Sequence, residues 1–192
     1  MLADLFCILP GGVVMGEWVI EPATVEALQD ILQIEEACFS APWTRKMLEA
    51  ELSGNPFAHF LLAKRMTPDE TGSVPIVGYV CFWVVFEEVR LMNLAVIESM
   101  RRRGIARALV TQALEMGVTE TAMRAVLEVR ASNHAAHALY RNLGFHDVTT
   151  RPKYYTNPIE DALLMELDPI VSESGELTEE VDRAGGRVRP LQ

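Results

Sequence analysis

One stretch constrains this chain more than any other. The run "VRLMNLAVI" (89–97) is strand-like, and "RRRGIARALV" (101–110) then opens a helix. Ile105, Ala108, Leu109, Ala113 and Met116 recur at the three- and four-residue spacing of one helix face. Before them stand Arg101, Arg102 and Arg103, followed by Gly104. Positive charge beside the positive end of a helix dipole is unfavourable by itself, so this loop points to an anion held there. Gly104 permits backbone angles closed to other residues, and Ala106 keeps the first turn bare enough for a ligand to reach free amides. The pattern is R-x-x-G-x-A, neither the GK[ST] of a P-loop nor G-x-G-x-x-G. The plain alternative is an exposed cationic loop.

Strand-like and helix-like segments alternate around this unit, which sets an α/β (α+β) expectation for one domain of 192 residues. "EWVIEPAT" (17–24) reads as a strand, with Thr24 as cap of a helix running to Cys38. Leu28, Ile31, Leu32, Ile34 and Glu35 line its mostly apolar face. Pro42 breaks the chain, and Thr44 restarts it as an N-cap. "FAHFLLAK" is a strand, "TPDETGS" a connector, and "PIVGYVCFWVVF" a long strand that turns at Glu87–Glu88 into residues 89–97. Beyond the arginine-loop helix, "AVLEVR" (125–130) is a buried-type strand. "SNHAAHALYRNLGF" is a helix capped by Ser132 or Asn133 and stopped at Gly144, and strands near 145–154 and 161–167 follow. The order predicts a mixed, mostly antiparallel seven-stranded sheet with helices on both faces. The domain spans 17–168. Residues 1–16 form an extension outside it, with Met15 a candidate start, and the charged tail 169–192 is expected to be disordered.

A formal net charge of −10 argues against coating nucleic acid and suits either a basic peptide partner or plain solubility. Cys7, Cys38 and Cys81 form no CxxC pair, as expected of reduced thiols in a cytoplasm. His134 and His137 share a helix face but lack a third ligand, and His59 and His146 stand apart, so no metal is expected. No run approaches the roughly 18 apolar residues of a membrane span. The opening carries Asp4 and lacks the basic start of a secretory leader, so neither membrane nor export is expected.

Glu128 sits inside a strand among Val126, Leu127 and Val129, where a carboxylate costs free energy unless paired or useful. It reads either as a base or as a salt bridge, to Arg130 or Arg90. Tyr140 lies on the next helix with Ala136 and Leu143 on neighbouring turns, and reads either as an acid or as a core aromatic.

Taken together, R-x-x-G-x-A, "NLAV" and "LEVRASNHAAHALYRNLGF" resemble the GNAT superfamily of acetyl-CoA-dependent N-acetyltransferases. With "APW" (41–43) and "YYTNPIEDALLMEL", the resemblance narrows to ribosomal-protein alanine N-acetyltransferases and covers roughly residues 17–168. Ala106 stands where a second glycine is commoner, and Arg103 where glutamine or glycine is frequent. The resemblance implies the GNAT fold, with acetyl-CoA between strands 89–97 and 125–130. The backbone of Leu94, Ala95 and Val96 would hold the pantetheine. Amides of Arg102, Arg103, Gly104, Ile105, Ala106 and Arg107 would hold the pyrophosphate in a cradle that Arg101 to Arg103 reinforce, and Asn133 would contact the CoA arm. It also implies Glu128 as general base, Tyr140 as general acid, and a protein N-terminal alanine as acceptor in a groove made by "APW" and Tyr154–Tyr155. Other protein N-termini, lysines or small amines remain alternatives, as does a CoA-binding module without catalysis.

Overall fold

The structure is a computed structural model that describes residues 7–9, 12–15, 17–68 and 74–170, the first two stretches as backbone. Its strands are β1 (Cys7–Leu9), β2 (Gly12–Met15), β3 (Trp18–Pro22), β4 (Ala58–Arg65), β5 (Ile76–Val85), β6 (Glu88–Val96), β7 (Arg124–Arg130), β8 (His146–Thr156) and β9 (Ile159–Leu167). The helices are α1 (Leu28–Cys38), α2 (Arg45–Gly54), α3 (Ile105–Thr119) and α4 (His134–Asn142). Among the described residues they form one sheet of order β1-β2-β3-β4-β5-β6-β7-β9-β8. Every pairing is antiparallel except β6 with β7.

The seven strands expected from residue 17 onward are β3 to β9. Two more come from the stretch that the sequence sets apart: β1 and β2 form a hairpin, and β2 continues the sheet through Val13–Ile20, Val14–Val19 and Met15–Trp18. At the other end, the backbone amide of Ile170 donates to the carbonyl of Met123 at 2.7 Å, two residues past the expected boundary at 168. The rest of the expected disordered tail, 171–192, and most of the "TPDETGS" connector lie outside the described residues.

Alternation along β4 and β5 explains why helices cover both faces. Phe60, Leu62, Tyr79 and Cys81 face α1 and α2, where Ile31, Ile34 and Leu48 complete one core cluster. Leu61, Ala63, Val80 and Phe82 face the other way, towards Ile105, Leu109, Val110 and Ala113 of α3. A period of two on the strands thus meets a period of 3.6 on each helix. Helix α3 comes close because Gly117 leaves room. A Cβ there would sit 2.1 Å from Cγ2 of Val89.

Local chemistry decides most element ends. Thr44 caps α2 by accepting from the amide of Met47 at 3.3 Å. Asn133, rather than Ser132, caps α4 through the amide of Ala136 at 3.1 Å, and Gly144 stops that helix with φ +94°. Thr24 departs from expectation. It precedes a short 3-10 turn at Val25–Ala27, its hydroxyl bonds to the carboxylate of Glu26, and α1 starts only at Leu28. The turn from β5 to β6 also shifts by a residue, because Phe86 takes a left-handed φ of 54° and Glu88 already belongs to β6.

Candidate active site

The site begins with a break in the sheet. Strands β6 and β7 pair in parallel only from Glu88–Arg124 to Leu91–Leu127. Met92 is then skipped in the β5–β6 register, which passes from Phe82–Leu91 to Cys81–Asn93, a one-residue bulge. Beyond it, Asn93 to Val96 stay with β5 while Glu128 to Arg130 stay with β9. The two parallel strands therefore part between Leu94–Val96 and Glu128–Arg130, which opens a cleft into the sheet.

The arginine loop closes one end of that cleft. Gly104 has φ +83° at the N-cap of α3, and the first intrahelical bond runs from the amide of Ala108 to its carbonyl at 3.0 Å. The amides of Ile105, Ala106 and Arg107 thus precede the helical ladder and carry the positive end of its dipole. A Cβ on Gly104 would meet nothing within 4 Å, so the glycine is required by its dihedral and not by space. Arg102, Arg103 and Arg107 are exposed. The Nε of Arg101 donates to the carbonyl of Val96 at 3.0 Å, tying the loop to the end of β6. That carbonyl also accepts from Sγ of Cys38 at 3.6 Å, so two protein donors share the carbonyl at the end of β6.

The opposite wall carries Glu128, whose side chain is 24% exposed. Its partner is Arg151, whose Nη1 binds Oε1 of Glu128. Neither cation suggested by the sequence reaches it. Arg130 is drawn to Glu160 at 3.3 Å and to the carbonyls of Asn157 and Pro158, and Arg90 is held by Glu88 at 2.5 Å. Tyr155 donates to the backbone carbonyl of Glu128 at 3.4 Å, and the Arg130 guanidinium stacks on its ring at 4.0 Å. A hydrogen bond with Glu128 is the main cause that raises the Tyr154 phenol above its ordinary value.

Tyr140 is 7% exposed and packs edge-on against Phe145 at 5.7 Å between ring centres. Burial, and then the nearby Tyr155, raise its phenol, so it stays protonated through the neutral range. Asn133 is exposed and uses its Oδ1 as the helix cap.

Two loops also approach each other. Ser40 Oγ, between α1 and α2, approaches the carbonyl of Asn157 in the β8–β9 turn at 3.5 Å. Ser40 thereby brings the loop that carries "APW" to the turn beyond Tyr154–Tyr155. A bulge in β8 sets residues Pro152 to Tyr154 opposite Asp161 alone, and the carboxylate of Asp161 accepts from the amide of Lys153 at 2.8 Å.

Sequence reasoning missed Arg151, as well as Tyr79 and Asn93, which bind Glu35. Glu35 was visible as a charge on an apolar helix face, a signal that something must satisfy it. Among the described residues no group of three or more His, Cys, Asp or Glu could hold a metal ion. No described helix is long and apolar enough to cross a membrane.

A parted pair of parallel strands, a helix N-terminus at its mouth and an acid on its wall define a class of acyl-transfer enzymes. The chain is an N-acetyltransferase and belongs to the GNAT acetyltransferase family, whose model matches residues 28–145. It is 36% identical over 137 residues to ribosomal protein bS18-alanine N-acetyltransferase of Salmonella typhimurium, covering 70% of this chain and 86% of that protein. The ribosomal-protein-S18-alanine N-acetyltransferase from Escherichia coli has a similar solved structure, with TM-score 0.69 and 28% identity over 83% of this chain and 99% of that one. Arabidopsis thaliana NAA60 in complex with acetyl-CoA shares the fold at TM-score 0.71 and 21% identity, over 79% and 98% of the two chains.

Proposed function

We propose that the chain transfers the acetyl group of acetyl-CoA to the N-terminal α-amine of a protein, and that the acceptor is the N-terminal alanine of a small-subunit ribosomal protein. One observation carries the reading: β6 and β7 part immediately after Leu91 and Leu127, between free amides at the start of α3 and the Glu128 carboxylate. The names of the relatives in Salmonella typhimurium and Escherichia coli support the choice of acceptor.

Acetyl-CoA supplies an acyl group already activated as a thioester. The chain's part is to hold and to move protons. Amides from Arg102 to Arg107, with the exposed Arg102, Arg103 and Arg107, fit a pyrophosphate, and Asn133 fits the CoA arm. Leu94 to Val96 offer backbone to the pantetheine, with Arg101 acting as a brace on Val96. An ammonium has no lone pair, so the amine must be deprotonated, and an α-amine with pKa ~7.7–8.0 needs only a modest push. Glu128 takes that proton, directly or through water, and Tyr140 delivers one to the departing sulfur. Alignment of both substrates in one cleft supplies several kcal/mol by proximity.

The deciding experiment measures free thiol release with three acceptors. A peptide beginning with Ala and followed by basic residues should give the highest kcat/KM, ahead of polyamines. The same peptide with its α-amine blocked should be inert. Robust acetylation of the blocked peptide, or a preference for polyamines, would refute the acceptor while leaving the family intact.

A further inference from the structure

Glu35 is the one charged side chain buried among the described residues, at 0% exposure. Among the described residues no cation forms an ion pair with it. Three neutral donors satisfy it, each from a different segment. The amide of Trp43, in the loop between α1 and α2, donates to Oε2 at 2.5 Å. The Tyr79 hydroxyl from β5 and the Nδ2 of Asn93 from β6 both donate to Oε1, the latter at 2.7 Å. Asn93 Nδ2 also lies 3.0 Å from the Tyr79 hydroxyl, and its Oδ1 accepts from the amide of Leu94 at 3.1 Å. A buried carboxylate without a counter-cation is costly, and a merely structural site would be filled more cheaply by a leucine.

The geometry points to Glu35 as a positioning residue that fixes the acceptor loop to the strand facing the acyl donor. Asn93 is the first residue after the β6 bulge, where the cleft opens, and Leu94 follows it. Trp43 ends the "APW" motif, in the loop that Ser40 brings against the β8–β9 turn. One carboxylate therefore sets the height of the acceptor loop over the parted strand. Glu35 touches neither substrate; it acts through the Trp43 amide and through Asn93. The inference rests on the acceptor reading above.

The test is Glu35→Gln in the full chain, with Tyr79→Phe as a second variant that keeps the ring and removes a single donor. A glutamine presents an NH2 to a site built of donors, so one arm of the pin must open. The KM for the Ala-peptide should rise roughly tenfold or more while the KM for acetyl-CoA changes less than about threefold. Tyr79→Phe should show the same split on a smaller scale. Equal changes in both KM values, or lower thermal stability with both unchanged, would overturn the assignment. If the wild-type enzyme ignores the peptide, the acceptor reading fails, and hydrogen exchange at the Trp43 amide decides the pin on its own. Protection lost in Glu35→Gln only around residues 39–44 supports it, whereas protection lost evenly across the sheet refutes it.

Discussion

Arg151, on β8, reaches across β9 to bind the carboxylate of Glu128 on β7. A carboxylate on the wall of the cleft is thus held by a guanidinium that is itself half exposed. An ion pair so open to water contributes ~0.2–1 kcal/mol to stability, too little to explain a carboxylate placed inside a buried strand. We therefore expect the pair to orient the Glu128 carboxylate rather than to stabilise the fold.

That difference is measurable in a double-mutant cycle. Arg151→Met and Glu128→Gln should couple by less than ~1 kcal/mol in urea unfolding, while Arg151→Met alone lowers kcat/KM roughly tenfold. A large stability coupling with normal turnover would make the pair structural.

Glu128→Gln itself should lower kcat/KM on the order of a hundredfold near pH 7, the contribution typical of a general base. Below the amine's pKa of ~7.7–8.0 the ammonium dominates and the base is needed; above it the amine loses its proton unaided. Much of the lost rate should return by about pH 9. A pH–rate profile that falls in height but keeps its shape would exclude Glu128 as the base.

Tyr140→Phe retains the ring that packs on Phe145 and removes only the hydroxyl. Thermal stability and acetyl-CoA affinity should hold, with kcat reduced on the order of a hundredfold. Near-normal turnover would leave Tyr140 a core aromatic.

Two glycines on one helix should fail in opposite ways. Gly104→Val forces a β-branched residue to φ +83° with open space around it, so the apo fold should survive while acetyl-CoA binding by calorimetry is abolished. Gly117→Ala places a methyl against Val89 and should cost ~1–3 kcal/mol of stability, leaving the KM for acetyl-CoA near normal. Binding unchanged in a folded Gly104→Val would sink the cradle.

Legibility in the sequence tracked distance along the chain. The αL glycine that starts α3, the Thr44 cap and the Gly144 stop are settled by neighbours within a turn, and all were readable. Thr24 was misread for the same local reason, because its hydroxyl turns to Glu26 instead of capping α1. The helix faces were readable too, since alternating apolar positions on β4 and β5 leave few other ways to bury both sides of the sheet.

By itself, then, the sequence determined the order of the elements from residue 17 onward, the two-sided packing and the glycine turn into α3, because these follow from backbone preferences and hydrophobic periodicity. Only the tertiary structure decided which side chains meet. Glu35 finds Asn93 across 58 positions and Ser40 finds Asn157 across 117, while Glu128 finds Arg151 in preference to the nearer Arg130. Periodicity reports which face a residue occupies, not which charge or donor a distant strand brings to it. That choice was made by strand order, by the bulges in β6 and β8, and by rival partners such as Glu160 that had already claimed Arg130.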